Sequence, residues 1–260
     1  MQLLTQIFVV VSVLLVSLAG ADEVQPPIDT LIEQLQSDDL QTRRDAAYEL
    51  AKLGPKAASA TAALVEALEE RDVQVWFQSA MAIARIGPPA NAATERLIKN
   101  LGESDDQRRY RAAFALGKIG ADALPALLNS LRDDSSRVRA GSARAIGWMS
   151  VESEPVLDAL VVAMSDSDED VRQQAAQSLA NQGAKAEQRL ADSLASESLT
   201  LRTTAAVALS QMQVESSATI AALKSALDTA DEELQAAVVI ALARSRTDRG
   251  ELAAVVARCL

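Results

Sequence analysis

Apolar residues recur along this chain in pairs four positions apart, and the pairs themselves recur at a nearly fixed period. Taking as anchor the residue that opens the second helix of each unit, the register falls at Thr42, Val75, Arg108, Val138, Val171, Leu201 and Leu234, with spacings of 33, 33, 30, 33, 30 and 33. Four and eight residues past the anchor stand Ala46/Leu50, Ser79/Ile83, Ala112/Leu116, Ser142/Ile146, Ala175/Leu179, Ala205/Leu209 and Val238/Leu242. That is the buried stripe of an amphipathic helix. A second set of pairs precedes each anchor: Leu31/Leu35, Leu64/Leu68, Leu97/Leu101, Leu127/Leu131, Leu160/Met164, Leu190/Leu194 and Leu223/Leu227. Each unit therefore predicts a helical hairpin. Neither helix alone hides its stripe, so stacked neighbours must complete the core, as in a solenoid.

The ends of these helices are also written in the sequence. Three residues before the anchor come Asp39, Asp72, Asp105, Ser135, Asp168, Ser198 and Asp231, whose side-chain oxygens accept from the unpaired amides of a helix start. Twelve after the anchor, Gly54, Gly87, Gly120 and Gly183 supply the left-handed residue that ends a helix. The prediction is an all-α solenoid of about seven hairpins over residues 28–249, with 250–260 as a C-terminal capping helix. Ahead of it, Ile7 to Leu18 is an apolar run of secretory length followed by Ala19-Gly20-Ala21. This predicts a signal peptide over 1–21, cleaved after Ala21, with 22–27 as a linker. The run is shorter than the ~20 residues of a spanning helix, so an uncleaved anchor is the lesser reading and no membrane insertion is expected after cleavage. The expected location is secreted or periplasmic.

At this point the chain resembles a known family. The stretch Ser167-Asp168-Glu169-Asp170-Val171-Arg172-Gln173-Gln174-Ala175-Ala176-Gln177-Ser178-Leu179 is similar to the short HEAT-like repeats named after the phycobilisome lyases. The likeness extends over about residues 28 to 260. It implies a HEAT-like solenoid, a right-handed array whose second helices line a concave face. It implies little about chemistry, because proteins with this repeat include scaffolds, chromophore lyases and an iron-dependent hydroxylase of a modified lysine. The hydroxylase members resemble one another in metal-holding His-Glu pairs. This chain has no histidine, and no residue in it matches a tetrapyrrole site.

Composition narrows function mainly by exclusion. The absence of histidine removes the commonest general base and the commonest ligand of zinc. The single cysteine, Cys259, rules out an intramolecular disulfide and a thiol-rich metal site, and it is read as lying on the surface or apolar edge of the capping helix. A net charge of −11 argues against nucleic acid, which selects a clustered basic surface. Acidic clusters such as Asp105-Asp106, Asp133-Asp134 and Asp166 to Asp170 fall at the inter-helix turns and lack calcium-loop spacing, so they are read as helix caps. The chain contains no glycine-rich phosphate loop, G-x-S-x-G elbow or Cys/His pairing. No catalytic residue, metal or cofactor is expected.

Two columns remain. One residue past the anchor lie Arg43, Arg109, Arg139, Arg172 and Arg202, interrupted by Trp76 and Gln235. They read either as a strip for an acidic partner or, preferably, as a ladder in which each arginine meets the capping Asp of an adjacent unit. The aromatics are only 3% of the chain, and Tyr48, Trp76, Phe77, Tyr110 and Phe114 all fall on the second helices of units one to three. Trp148 stands apart. At about 100° per residue, positions two and six past the anchor lie roughly 160° to 200° from the buried stripe and should face out. Arg44, Tyr48, Trp76, Phe77, Met81, Tyr110, Arg111 and Phe114 are therefore the candidate residues of a protein-binding surface, with the aromatic and arginine make-up of an interface hot spot. The alternative is that these rings seal the grooves between units. The expected function is a non-catalytic, monomeric scaffold for a protein partner. A lyase-like or oxidoreductase-like enzyme and a purely structural spacer are the rival readings.

Overall fold

The computed structural model describes residues 26–149, 151, 153–228, 231–245 and 253. The expected signal peptide, residues 22–25 of the linker and all of the 250–260 capping segment except Ala253, Cys259 included, lie outside them. Seven helical hairpins follow in order: α1 (Ile28–Leu35) with α2 (Leu40–Leu53), α3 (Thr61–Ala67) with α4 (Val73–Ile86), α5 (Thr94–Leu101) with α6 (Asp106–Ile119), α7 (Leu124–Ser130) with α8 (Ser136–Gly147), α9 (Glu154–Ala163) with α10 (Glu169–Ala180), α11 (Ala184–Ser193) with α12 (Leu199–Gln211), and α13 (Ser217–Ala226) with α14 (Glu232–Arg244). Among the described residues no helix is long and apolar enough to cross a membrane.

Each predicted stripe is buried. All the paired apolar positions of the first helices and all the four-and-eight positions of the second helices belong to the interior. Consecutive second helices pack side by side from α2 to α14, and each first helix packs on the second helix of its own unit. Small residues set the spacing of these layers. Leu101 fills the space above Gly141, where an added Cβ would come within 2.8 Å of it. The hydroxyl of Ser178 lies where a side chain on Gly147 would go, and donates to the Ala143 carbonyl at 2.7 Å.

The caps form as the sequence dictates at six of seven starts. Asp39, Asp72, Asp105, Asp168, Ser198 and Asp231 each accept from a backbone amide of the helix they begin. At Ser135 the side chain makes no such bond; Asp133 instead accepts from the Ser135 amide at 2.8 Å. Gly54, Gly87, Gly120 and Gly183 all have positive φ, between 56° and 80°. Their ψ values run from −129° to −155°, so the chain turns through an extended mirror-image conformation rather than the αL one expected. Glycine is required there because a Cβ is strained in that region.

The arginine column is a ladder, but within units rather than between capping residues. Arg43 donates through Nη1 to the carbonyls of Ser37 and Asp38 (2.7 and 3.0 Å), and Arg109, Arg139, Arg172 and Arg202 repeat this geometry on the two carbonyls five and six residues behind them. Each guanidinium thus satisfies backbone acceptors just beyond the C-terminal end of its own first helix, where the helix leaves carbonyls unpaired and the dipole favours a cation. Reach to the next unit is secondary. Arg139 adds a bidentate pair to Asp166 (2.8 and 2.8 Å) and Arg43 pairs with Glu70 at 3.1 Å. The capping Asp72 of unit two is engaged by Arg44 instead, one position further along.

Unit two, where Trp76 replaces the arginine, explains a second anomaly. Its turn carbonyls, Glu70 and Arg71, accept from Nη2 of Arg108 (3.2 and 3.4 Å), the charged residue at an anchor position that most other units fill with valine or leucine. The Arg108 guanidinium also lies 5.1 Å from the centre of the Trp76 ring. The two departures from the pattern compensate each other. Arg108→Val should therefore destabilise the chain by about 1–3 kcal/mol, the cost of unpairing the turn carbonyls. In a Trp76→Arg background, where the unit regains its own clamp, the same change should cost less than about 0.5 kcal/mol in a double-mutant cycle read by urea unfolding. Equal costs in the two backgrounds would refute the compensation.

Candidate functional site

Once the stripes and clamps are formed, the surface left to the second helices is made by the rows two and six residues past each anchor. Tyr48 and Tyr110 are the most open of its rings, 51% and 47% exposed. Phe77, Met81 and Phe114 are half-buried, and the two phenylalanines pack their inner edges on the core. Trp76 is 1% exposed. It is therefore a core residue and not part of the surface, a correction with a simple cause: position one past the anchor lies about 100° round from the outward row at position two, and the Arg108 guanidinium of the next unit lies over the indole. Arg44 is half-buried and committed to Asp72.

Cations sit over these rings. The Arg111 guanidinium is 3.7 Å from the Phe77 centroid, Lys52 is 5.5 Å from Tyr48, Lys118 is 5.3 Å from Phe114 and Arg144 is 5.8 Å from Tyr110. Stacking of a cation on a ring face holds both in place, so the aromatic patch is preorganised by its own basic residues. Trp148, set apart in the sequence, is brought into it. Its indole meets Tyr110 and Phe114 edge-on, with centroids 5.3 and 5.8 Å apart. Among the described residues these are the ring–ring contacts, and neither Tyr48 nor Phe77 shares in them. The signal for Trp148 is indirect. Nine past the anchor, units three and four carry Gly117 and Gly147 where the other units carry alanine or serine. Any Cβ on Gly117 would lie 3.0 Å from that of Trp148.

Charge is distributed unevenly around this cluster. Although the chain has a net charge of −11, α6 carries Arg108, Arg109, Arg111 and Lys118 against Asp106, and α8 carries Arg137, Arg139 and Arg144 with no acidic residue. Between them runs a groove of about 430 Å³ lined by Tyr110, Arg137, Ala140 and Arg144 among others. A second groove of about 410 Å³, between α10 and α12, is lined mainly by glutamine and threonine side chains. The acidic turns serve the helices, as the caps described above, and among the described residues no group of three or more histidine, cysteine or carboxylate side chains is arranged to hold a metal. At the N-terminal border of the patch, Arg44 donates to Asp72 through Nε and Nη2 (3.1 and 2.6 Å), and that bond together with the Val75 amide holds the Asp72 carboxyl at about 2.

HEAT repeats, as a family, match residues 28–116, 94–180 and 157–243. No curated protein matches the chain in sequence. Solved structures that it is similar to include the complex of CpcE and CpcF of phycocyanin lyase from Nostoc sp. PCC7120, at 20% identity over 93% of this chain and 97% of that one, with a TM-score of 0.45. A designed armadillo repeat protein is similar at 19% identity, covering 84% of this chain and 99% of that one, with a TM-score of 0.43. An engineered protein is similar at 24% identity over 89% of this chain and 71% of that one, with a TM-score of 0.40.

Two outcomes test the geometry. Tyr48→Ala and Tyr110→Ala should each lower stability by less than about 1 kcal/mol, whereas Trp76→Ala should cost about 3–5 kcal/mol, the price of emptying a buried aromatic site. Denaturant midpoints decide this, and a large loss at both tyrosines would return them to packing. The Asp72 carboxyl is held below its unfolded value, so its contribution is present above about pH 4 and is lost as pH falls through about 2. Asp72→Asn should accordingly flatten the fall in thermal midpoint across that window; an unchanged slope would show that the Arg44 pair contributes nothing to it.

Proposed function

We propose, from the premise that this chain belongs to the HEAT-repeat family, that it is a non-catalytic scaffold holding a protein partner on the exposed second-helix face of units one to three. HEAT and armadillo-like repeats typically serve as protein-interaction scaffolds. The observation that carries the narrower reading is the cluster of Tyr110, Phe114 and Trp148 beside Arg111 and Arg144, with Phe77 and Tyr48 on the preceding units. Rings and guanidinium groups of this kind, fixed before binding, lose little side-chain entropy on contact and expose both apolar and hydrogen-bonding surface. Of the residues read from sequence, Tyr48, Phe77, Met81, Tyr110, Arg111 and Phe114 are retained in this role, Arg44 borders it, and Trp148 extends it to unit four. The reading includes export through a leader cleaved after Ala21, and action as a monomer outside the cytoplasm.

The test is a cross-linking pull-down from the native envelope fraction with the mature chain and a Tyr48, Phe77, Tyr110 and Phe114 to alanine variant, helicity being matched by circular dichroism. Loss of the partner by the folded variant is the expected result. A Val162→Ser chain, altered at a 71% exposed position on α9, should recover the partner as the unaltered chain does. Equal recovery by the aromatic variant would move the interface elsewhere.

A further inference from the structure

We propose that the groove between α6 and α8 receives an acidic segment of the protein partner, with a carboxylate seated between Arg137 and Arg144 beside the Tyr110 ring. The proposal rests on the scaffold reading above and specifies the chemistry of what that scaffold holds.

The groove has a small-residue floor and a basic wall. At position two past the anchor, units two and three present Phe77 and Tyr110, but unit four presents Ala140, which is buried. The row of rings therefore drops away at α8, and the space of about 430 Å³ left above Ala140 is within the range of sites that enclose small ligands. Its lining includes three guanidinium groups, Arg109, Arg137 and Arg144, and two carboxylates, Asp106 and Asp170. Asp106 is ion-paired to Arg109, which also clamps its own turn. Asp170 accepts from Nε2 of Gln174 at 3.3 Å. Of the three guanidinium groups of the groove, Arg109 is ion-paired, while Arg137 and Arg144 have no carboxylate of the described residues within ion-pair distance. With three guanidinium groups against two carboxylates the groove keeps a net positive charge, and Arg137 and Arg144 supply it.

Arg144 is also aimed. Its Nε donates to Oε1 of Gln174 at 2.8 Å and its guanidinium carbon lies 5.8 Å from the Tyr110 centroid, so the head is held from one side and backed by a ring on the other. Neither Nη atom of Arg144 donates to any described residue. A guanidinium fixed through Nε with its Nη edge open is the geometry that receives a carboxylate through paired, charge-assisted hydrogen bonds. The chain's own net charge selects the form of the occupant. A long polyanion laid along the molecule would meet the acidic turns of every unit, whereas one or two carboxylates within a mixed protein segment engage α8 and face only Asp106 and Asp170, the two carboxylates of the groove itself. Tyr110, which lines the groove, meets Trp148 edge-on and with it supplies apolar surface for neighbouring residues of the segment.

The experiment uses the full chain and a fluorescein-labelled hexapeptide of alternating glutamate and leucine, with its glutamine-for-glutamate counterpart, followed by anisotropy. The glutamate peptide should bind at least about tenfold more tightly than the glutamine one, and R137Q/R144Q should weaken it about tenfold. The charge-matched pair R96Q/K99Q, on α5, should weaken it by less than about twofold, since screened charges away from the groove act only weakly. Tryptophan emission should shift on binding, through the contact of Trp148 with Tyr110. Equal weakening by both double variants, or equal binding of the two peptides, overturns the proposal. A native partner that is lost by the aromatic variant but retained by R137Q/R144Q also overturns it, and leaves the scaffold reading intact.

Discussion

A helix of seven to fourteen residues with one apolar stripe is not stable alone, and a single hairpin of two such helices still leaves part of each stripe uncovered. Positions four and eight of each second helix are buried in a core to which the unit's own first helix and the adjacent second helices both contribute, which makes stacking the constraint from which the other features follow. Alanine, serine and glycine are needed on the stacked faces so that the helices approach. The turn between the two helices of a unit must be tight, and its exposed carbonyls need a donor that does not obstruct the next unit. The arginine one past the anchor meets that need, with its stem packed inward and its head folded back on the turn. Where Trp76 takes the place of this arginine, Arg108 from the following unit provides the donor, so the requirement persists although its source has changed.

What remains after stacking is a narrow outward face, and it is not uniform. The second helices of the first four units carry the rings and most of the cations, while the groove between α10 and α12 is lined mainly by glutamine and threonine. Stacking of the buried stripes places no demand of its own on this row, which faces away from them. The variation is therefore the part of the chain that stacking does not account for. Rings locked under cations form a surface of fixed shape, and this suits recognition better than it suits adjustment to several unrelated chemistries.

The architecture was almost entirely legible in the sequence, because each of its determinants is local and periodic: Asp or Ser at a helix start, paired leucines at helical spacing, glycine where φ must be positive. Contacts between units were less so. The column of arginines was visible, but periodicity alone does not say whether a guanidinium turns forward to the next capping Asp or back to its own turn, and it turns back. Trp76 shares its helix with outward-facing rings yet lies inside, since a single step of about 100° separates an outward row from the buried side of the helix. Trp148 escaped notice for the opposite reason. It stands at the end of α8, off the rows, and reaches the patch only because Gly117 of the previous unit leaves it room.

The central claim, that stacking leaves the outward rows of the second helices uncovered and that those rows meet the partner, is tested most directly by hydroxyl-radical footprinting of the chain in its native extract and after purification. Protection of Tyr48, Met81, Tyr110, Phe114 and Trp148 in the extract, with Val162 on α9 labelled equally in both, is the result the account predicts. Protection confined to the first-helix side, with Tyr110 and Trp148 labelled alike in both states, would contradict it.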